Sequence, residues 1–277
     1  MVKITTCGVD RLGDAHIKTE FEGSFPTLDA PRSNGSPAAR HESRRLAKRL
    51  LDLVVGSVAF VVSLPILFAA VVATRSSGDF GPILYRAVRM GEGGSPFTML
   101  KLRTMTSFAE GPGLTRARDP RVTTMGRILR RLKMDELPQL WNVVRGDMSL
   151  VGPRPEDARY IDWDDPLHRK VFTAKPGITG LAQIALPFEE RLLAGPDPEG
   201  TYREQILPYK LRMDSFYLDH QSLSVDFRIL ACTVRSIFRP VGESMAAQAS
   251  SLDGCQALIA EAVAIAGVQR ALEERAT

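Results

Sequence analysis

The strongest constraint on the fold of this 277-residue chain is one long apolar segment, Leu50–Thr74. As an α-helix it would measure about 37 Å, more than the roughly 30 Å hydrocarbon core of a bilayer. Its one charge, Asp52, is predicted to pair with Lys48 or Arg49. Cations flank both ends of the segment: Arg44, Arg45, Lys48 and Arg49 before it, and Arg75, Arg86 and Arg89 after it. Positive charge at both ends gives no preferred orientation for a crossing.

Ser63 and Pro65 stand at the midpoint of this segment. A proline inside a helix removes one backbone hydrogen bond and bends the helix, and a nearby serine hydroxyl can satisfy the freed carbonyl. The residues alone leave three structures open. The helix crosses the membrane with a kink, or it re-enters by bending near Ser63 and Pro65, or it is buried in a soluble core.

The two ends of the chain differ from its middle. Residues 1–43 mix Gly, Pro, Ser and charged residues without apolar periodicity, which predicts a disordered N-terminal segment. Within the tail 241–277, residues 255–275 have the spacing of an amphipathic helix. That helix has two candidate partners, the body of the protein or a second copy of the chain in a homodimer. The three cysteines, Cys7, Cys232 and Cys255, lack metal-site spacing and are predicted to be free thiols in a reducing compartment.

Residues 75–105 read as short strands separated by glycine-containing turns, which predicts a β-hairpin. Lys101 and Arg103 alternate with leucines near its end and therefore share one face of the strand. A helix is predicted from Thr123 to Met134. Residues 101–133 carry nine basic and two acidic side chains in a chain of net charge +4. This central positive charge predicts an anionic partner: a nucleotide, a phospholipid headgroup or nucleic acid.

Asp135 and Glu136 directly follow the basic region and precede Leu137-Pro138 and an apolar helical run. One interpretation is local, because aspartate is a favoured N-cap and proline is tolerated in the first turn. Two observations favour a functional role. Adjacent helix residues point about 100° apart, so one of the two acids is surplus to capping. A helix N-terminus is also a favourable place for phosphate.

Pro153, Arg154 and Pro155 form a rigid tripeptide after a short extended run. Proline on both sides restricts the backbone of Arg154, which suits bidentate phosphate binding because little freedom is lost. The alternative is a structural turn in which Arg154 pairs with Glu156 or Asp157.

Four segments, taken together, resemble one known family. They are RRLAKRLLDLVVGSVAFVVSLPILF, PFTMLKLRTM, RVTTMGRILRRLKMDELPQLWNVVRGDMSLVGPRPE and KPGITGLAQI. In content and order they are similar to bacterial sugar transferases of the monotopic polyprenyl-phosphate phosphoglycosyl transferase type. The resemblance covers roughly Arg44 to Pro240, and its Asp-Glu and Pro-Arg-Pro string is highly specific.

The resemblance implies transfer of a sugar 1-phosphate from a UDP-sugar to undecaprenyl phosphate, with release of UMP and use of Mg²⁺. By analogy Asp135 is the nucleophile and candidate Mg²⁺ ligand, and Glu136 positions or deprotonates the acceptor or assists the metal. Lys101 and Arg103, with Pro153, Arg154 and Pro155, fall on the family's substrate- and phosphate-binding positions. Ser63 and Pro65 fall on its helix bend, although the usual Ser-Pro pair is adjacent and Leu64 intervenes here.

The resulting expectation is an α+β, mostly helical, membrane-associated (monotopic) fold. It contains a re-entrant helix at about 48–74, a small β-hairpin and interfacial helices within a catalytic domain at 44–240. The expected partners are a UDP-sugar, undecaprenyl phosphate and anionic phospholipids, not nucleic acid, at the cytoplasmic face of the cytoplasmic membrane. Segment 187–205 departs from the family pattern. Two other hypotheses are a membrane-anchored protein that binds anionic polymer or nucleic acid, and a catalytically inactive scaffold.

Overall fold

A computed structural model describes residues 37–76, 81–106, 114–116, 119–186, 189–193 and 195–237, with side chains in the first helix from Ser43 onward and without that of Arg191. These residues are mostly helical and include two small sheets. The expected disordered segment and C-terminal amphipathic helix lie outside the described residues, except that the first helix begins at Pro37.

The elements follow one another in a simple order. The first half contains α1 (Pro37–Ser76), β1 (Leu84–Met90), β2 (Pro96–Leu102), α2 (Thr124–Arg131), a 3₁₀ turn (Met134–Glu136), α3 (Gln139–Arg145) and β3 (Ser149–Val151). The second half contains α4 (Pro166–Val171), β4 (Gly177–Thr179), α5 (Leu181–Ala185), α6 (Glu189–Leu192), α7 (Pro198–Thr201), a π-helical turn (Tyr202–Ile206), α8 (Leu207–His220) and α9 (Leu223–Ile237).

The predicted hairpin is confirmed. β1 and β2 pair antiparallel from Leu84 opposite Leu102 to Met90 opposite Pro96. The connecting turn needs glycine at Gly94, where φ is +73° and a Cβ would lie 2.6 Å from the Trp163 ring. The second sheet is a parallel pair of β3 and β4. Lys101, the last residue but one of β2, is therefore held in place by the pairing of the two strands.

Two apolar clusters hold these elements together. The larger one joins α3, β3, α5, α8 and α9 through fully buried side chains, among them Val143, Met148, Leu181, Met213, Tyr217 and Ile229. The smaller one joins Ala70 of α1 to Leu102 of β2 and Leu129 of α2. The predicted helix at 123–134 is confirmed as α2, whose N-cap Thr123 accepts a hydrogen bond from the Gly126 amide.

Helix α1 is oriented with its polar side toward the protein. Its buried residues, Asp52, Gly56, Ser63, Ala70 and Thr74, are spaced by four and seven residues and so lie on one face. Its exposed side chains are large and apolar: Leu46, Leu50, Leu53, Val54, Val55, Val58, Val61, Val62, Leu64, Ile66, Phe68 and Val72. Among the described residues, α1 is the helix long and apolar enough to cross a membrane, by length and composition. A helix with this pattern is suited to an apolar solvent, which is consistent with membrane association.

Hydrogen bonds fix the first half of α1 to the body. The Arg49 guanidinium donates to the carbonyls of Val143 (2.7 Å) and Val144 (2.9 Å), near the end of α3 where free carbonyls accumulate. Lys48 pairs with Asp226 at 2.6 Å. The prediction that Asp52 pairs with Lys48 or Arg49 is wrong, because its carboxylate accepts a bond from the Leu150 amide (3.0 Å).

Helix α1 continues through Pro65 without interruption. The Ser63 hydroxyl donates to the carbonyl of Phe60 (2.7 Å). The carbonyl that Pro65 frees, four residues earlier, belongs to Val61. Ser63 therefore does not satisfy that carbonyl. The bend at Ser63 and Pro65 and the re-entrant path stay predictions.

Cys232 in α9 is disulfide-bonded. The prediction of free thiols is therefore wrong for this residue.

Asn142 of α3 joins the hairpin to the helix that follows the two adjacent acids. Its side chain accepts a hydrogen bond from the Leu100 amide (3.1 Å) and donates to the Thr98 carbonyl (2.8 Å) and to Asp147 (3.2 Å). The residue is almost completely buried. This one amide therefore fixes β2, which carries Lys101, against α3.

Asn142→Leu should lower the free energy of unfolding by about 2–4 kcal/mol, because buried backbone groups of β2 lose their partner. Chemical denaturation in detergent solution measures this change. Arg145→Ala, an exposed change on the same helix, is the control and should stay within about 0.5 kcal/mol of the parent. Equal stability of the two variants would contradict the assigned role of Asn142.

Candidate active site

Asp135 and Glu136 lie in a tight reversal between α2 and α3. Lys133 reverses the chain with a left-handed backbone (φ +56°), and the acids follow in the 3₁₀ turn Met134–Glu136. Lys133 is the one non-glycine residue with positive φ in the described part of the chain. Such a conformation is unfavourable for lysine and marks a site where the surrounding structure dictates the backbone.

The Asp135 carboxylate is buried, with 7% of the residue exposed. Burial and the neighbouring negative charge of Glu136 raise its pKa, while Lys101, Lys133 and Arg130 partly offset this rise. Asp135 does not cap α3: the N-cap position is Pro138, and no side-chain cap bond is present. The capping interpretation is therefore wrong, and the buried carboxylate makes no hydrogen bond to a described residue.

Glu136 is held differently from Asp135. The Lys101 ammonium donates to its Oε1 at 3.0 Å. Burial raises the pKa of Glu136, but the positive charges of Lys101, Lys133 and Arg154 together outweigh burial and lower it to about 2. The two adjacent acids thus have pKa values moved in opposite directions. Such a separation is typical of catalytic carboxylate pairs.

Arg103 lies just beyond the end of β2 and binds backbone carbonyls. Its guanidinium donates to the carbonyls of Pro82 (2.5 Å) and Met105 (3.5 Å). Lys101 thus contacts Glu136, whereas Arg103 binds the backbone just before β1.

Arg154 joins the site from the end of β3. Pro153 and Pro155 are buried on either side of it. Burial disfavours its charge, but Glu189, Glu136 and Glu156 outweigh burial and raise its pKa. These carboxylates therefore lie close to the guanidinium, which makes no hydrogen bond to a described residue.

The alternative interpretation of Arg154, a turn arginine paired with the next acids, is met only in part. Among the described residues no salt bridge joins Arg154 to Glu156 or Asp157, although the charge of Glu156 raises the pKa of Arg154. Glu156 is 2.6 Å from the ammonium of Lys210 and accepts a hydrogen bond from the Tyr202 hydroxyl (2.6 Å). Asp157 pairs with Arg89 and Arg159. Both neighbouring acids therefore form their direct ion pairs with other cations.

Sequence reasoning missed several groups at this site. Arg130, one of the basic residues for which an anionic partner was predicted, donates to the Thr104 hydroxyl (2.8 Å) and to Glu190 (3.1 Å). Lys210 and Tyr202 lie far away in the sequence and have no local motif. The one available signal was that 187–205 departs from the family pattern, and this segment supplies Glu189, Glu190 and Tyr202.

The acidic pair has the chemistry for a magnesium ion shared with a phosphorylated substrate. Among the described residues, no group of three or more His, Cys, Asp or Glu side chains forms a metal cage. Mg²⁺ at phosphate-transfer sites is often held by one or two carboxylates plus substrate phosphates. The Asp135 carboxylate fits this role because it is buried beside a like charge and makes no hydrogen bond to a described residue.

Comparison with known sequences defines the class of this protein. The family described as "Bacterial sugar transferase" matches residues 43–240. That range exceeds two thirds of the chain and includes the acidic pair, Lys101 and the Pro-Arg-Pro tripeptide. The chain belongs to the bacterial sugar transferase family, and the family predicted from the sequence is confirmed.

Individual relatives are consistent with this assignment. The chain is 41% identical over 197 residues, which cover 69% of this chain and 70% of the relative, to the UDP-glucose:undecaprenyl-phosphate glucose-1-phosphate transferase of Caulobacter vibrioides. It is 36% identical to the uncharacterized sugar transferase EpsL of Bacillus subtilis, over 69% of this chain and 87% of EpsL. It is 32% identical to the UDP-N-acetylgalactosamine-undecaprenyl-phosphate N-acetylgalactosaminephosphotransferase of Aeromonas hydrophila, over 70% of this chain and 44% of that protein.

The electrostatics of the acidic pair can be measured without an activity assay. A ¹³C carboxyl titration of Asp135 should give a midpoint above the ordinary aspartate value. Glu136→Gln removes a like charge and should lower that midpoint, whereas Lys101→Met removes an opposite charge and should raise it. A midpoint that does not respond to either substitution would contradict the assigned coupling.

Proposed function

We propose that the protein transfers a sugar 1-phosphate from a UDP-sugar to undecaprenyl phosphate, through a covalent Asp135 intermediate and with release of UMP. The observation that carries this proposal is the buried Asp135 carboxylate, which makes no hydrogen bond to a described residue. It lies beside a Glu136–Lys101 ion pair, and the positive charges of Lys133 and Arg130 act on it. Such a carboxylate meets the needs of a nucleophile that attacks an anionic diphosphate. The names of the relatives support the donor and acceptor classes.

In the first step, an Asp135 oxygen attacks the phosphorus atom that carries the sugar. A bond forms between that oxygen and phosphorus, and the phosphorus–oxygen bond to UMP breaks. UMP leaves with the electron pair, and the enzyme holds an acyl phosphate. Because nucleophile and donor are both anionic, the cations Lys101, Lys133 and Arg154 are needed to neutralise the developing charge.

In the second step, a phosphate oxygen of undecaprenyl phosphate attacks the same phosphorus atom and displaces Asp135. The acceptor attacks as an anion, so neither step requires proton removal by the protein. Glu136, whose pKa is lowered to about 2, stays ionised at neutral pH and is a poor base. We therefore assign Glu136 to holding Lys101 beside Asp135, rather than to deprotonation.

A magnesium ion at this site would supply further charge neutralisation. The carboxylate of Asp135 is the group of this chain that would hold it. The raised pKa of Asp135 means that a bound cation also keeps the nucleophile ionised.

We propose a monotopic arrangement in which α1 enters and leaves by the cytoplasmic face. Helix α1 contacts the rest of the protein from Lys48 to Ala70, and Thr74 is buried as well. Along a straight helix, Asp52 and Thr74 are about 33 Å apart. A helix attached to the same body along this length does not separate its two ends by a bilayer. The apolar outer face would contact lipid, and the flanking cations would contact anionic headgroups.

The hypothesis of an anionic-polymer or nucleic-acid binding protein is less well supported. Lys101 is occupied by Glu136, and Arg130 is occupied by Thr104 and Glu190. These cations are arranged around an acidic pair rather than along an open basic surface.

The purified full-length protein, given Mg²⁺ and a panel of UDP-sugars without acceptor, should release a burst of UMP close to one equivalent per enzyme. Adding undecaprenyl phosphate should convert the burst into steady turnover. Asp135→Asn should abolish both, because an amide is not a nucleophile at phosphorus. The matched control Asp164→Asn, an exposed aspartate, should behave like the parent.

Steady turnover by a well-folded Asp135→Asn enzyme would exclude Asp135 as the nucleophile. Turnover without an initial burst under saturating donor would argue for direct transfer. No UMP from any donor would count against the activity itself.

Single cysteines at Ser43 and Ser76, in a chain without its native cysteines, should report the path of α1. Both should react with a membrane-impermeant maleimide only in vesicles that expose the cytoplasmic face. Labelling of the two positions from opposite faces would show that α1 crosses the membrane.

A further inference from the structure

Helix α8 presents a polar face to the segment that carries Arg154. Lys210, Asp214 and Tyr217 are spaced by four and three residues and so lie on one side of the helix. Each is buried to 97% or more. Polar residues buried to this degree need partners, because desolvation without partners is costly.

The partners of these residues are successive positions of one chain segment. The Tyr217 hydroxyl is 3.3 Å from the carbonyl of Val151, and Asp214 Oδ2 accepts from the Arg154 amide at 3.4 Å. The ammonium of Lys210 is 2.6 Å from Glu156 Oε1. One face of α8 thus follows the backbone from the end of β3 through the Pro-Arg-Pro tripeptide.

The contact between Lys210 and Glu156 is the shortest of the three. Lys210 donates to the Tyr202 hydroxyl (2.8 Å), and that hydroxyl donates to Glu156 Oε2 (2.6 Å). Both carboxylate oxygens of Glu156 are therefore occupied by α8 and the turn that precedes it. The cost of burying the Lys210 and Glu156 charges is offset by their direct contact and by this shared hydroxyl.

The same face of α8 also reaches the membrane helix. The Tyr217 hydroxyl is 2.6 Å from Asp226 Oδ1 in α9, and the other oxygen of Asp226 pairs with Lys48 of α1. On the opposite side, Asp52 of α1 holds the amide of Leu150. The segment that ends in Arg154 is thereby fixed relative to α1.

We propose that Lys210 and Asp214, together with Tyr202, are positioning residues that set the Arg154 guanidinium against the donor diphosphate. This inference rests on the proposed function. Arg154 makes no side-chain hydrogen bond to a described residue. The position of its guanidinium therefore depends on its backbone and on the negative charges of Glu189, Glu136 and Glu156. Asp214 holds that backbone directly, and Lys210 and Tyr202 hold it through Glu156. The guanidinium consequently keeps its donors for phosphate oxygens.

A double-mutant cycle separates positioning from a general structural role. UDP in the presence of Mg²⁺ is the probe, and its affinity for the full-length protein in detergent is measured by isothermal titration calorimetry. Lys210→Met should weaken UDP binding at least tenfold in the parent protein. In the Arg154→Ala background it should weaken binding less than twofold, because the group that Lys210 positions is already absent.

A second variant covers the case in which Lys210→Met fails to fold because Glu156 loses its partner. Tyr202→Phe removes only the bridging hydroxyl and should weaken UDP binding about threefold, again only when Arg154 is present. Tyr209→Phe is the matched control and should leave affinity unchanged. Like Tyr202, Tyr209 is a buried tyrosine, and it lies in α8. Its hydroxyl makes no hydrogen bond to a described residue.

Asp214 provides a test by conservative replacement. Burial raises the pKa of Asp214 to about 8, so the group is mostly neutral at pH 7 and resembles an amide. Asp214→Asn keeps an acceptor for the Arg154 amide and should bind UDP within threefold of the parent, whereas Asp214→Ala should lose about tenfold.

The outcomes distinguish this inference from the proposed function. The positioning role would be overturned if Lys210→Met weakened UDP binding equally with and without Arg154. The same holds for Tyr202→Phe if that variant is used instead. Unchanged affinity in the Asp214→Ala protein would also overturn it. A parent protein that neither binds UDP nor releases UMP would overturn the proposed function and this inference with it. An active parent whose Arg154→Ala variant binds UDP normally would overturn the inference alone.

Discussion

The structure depends on how α1 meets the rest of the chain. An apolar helix normally buries its apolar side, but α1 buries Asp52, Ser63 and Thr74 and exposes its leucines and valines. This arrangement is stable only if an apolar medium covers the outside of the helix. Asp52 holds the amide of Leu150 in β3, and Arg49 holds the end of α3. Helix α1 therefore fixes both the helix that follows the acidic pair and the strand that leads to Pro-Arg-Pro. The same contacts therefore fix the apolar outer face of α1 relative to the acidic pair.

Features encoded by adjacent residues could be predicted from the sequence. The hairpin followed from turn residues between β-forming runs, and α2 followed from its helical periodicity. The acidic pair was a candidate site because helix capping needs only one of the two acids. Pro-Arg-Pro was a candidate site because the two prolines restrict the backbone of Arg154. The family resemblance joined these segments, and the match over residues 43–240 confirms it. Local reasoning about Asp135 failed, since the 3₁₀ turn places Pro138 rather than Asp135 at the cap of α3.

Contacts between distant residues could not be predicted in the same way. Lys210 and Glu156 are both charged residues of types that usually face solvent, and only the fold shows that they meet at 2.6 Å in the interior. Asp52 was assigned the wrong partner because sequence shows nearby cations but not the backbone amide of a strand almost one hundred residues away. Arg103 follows the same alternation as Lys101, yet its guanidinium donates to the backbone carbonyl of Pro82. The departure of 187–205 from the family pattern marked the segment without revealing that it faces Arg154 and Arg130.

The central claim is that Asp135, rather than Glu136, carries the phosphosugar. Acyl phosphates are reduced by borohydride to alcohols, so an aspartyl phosphate becomes homoserine. The parent enzyme, mixed with donor and quenched with borohydride, should yield the tryptic peptide Met134–Arg145 with homoserine at position 135, as read by tandem mass spectrometry. A reduced residue at position 136, or an unmodified peptide from enzyme that has released its burst of UMP, would contradict the account.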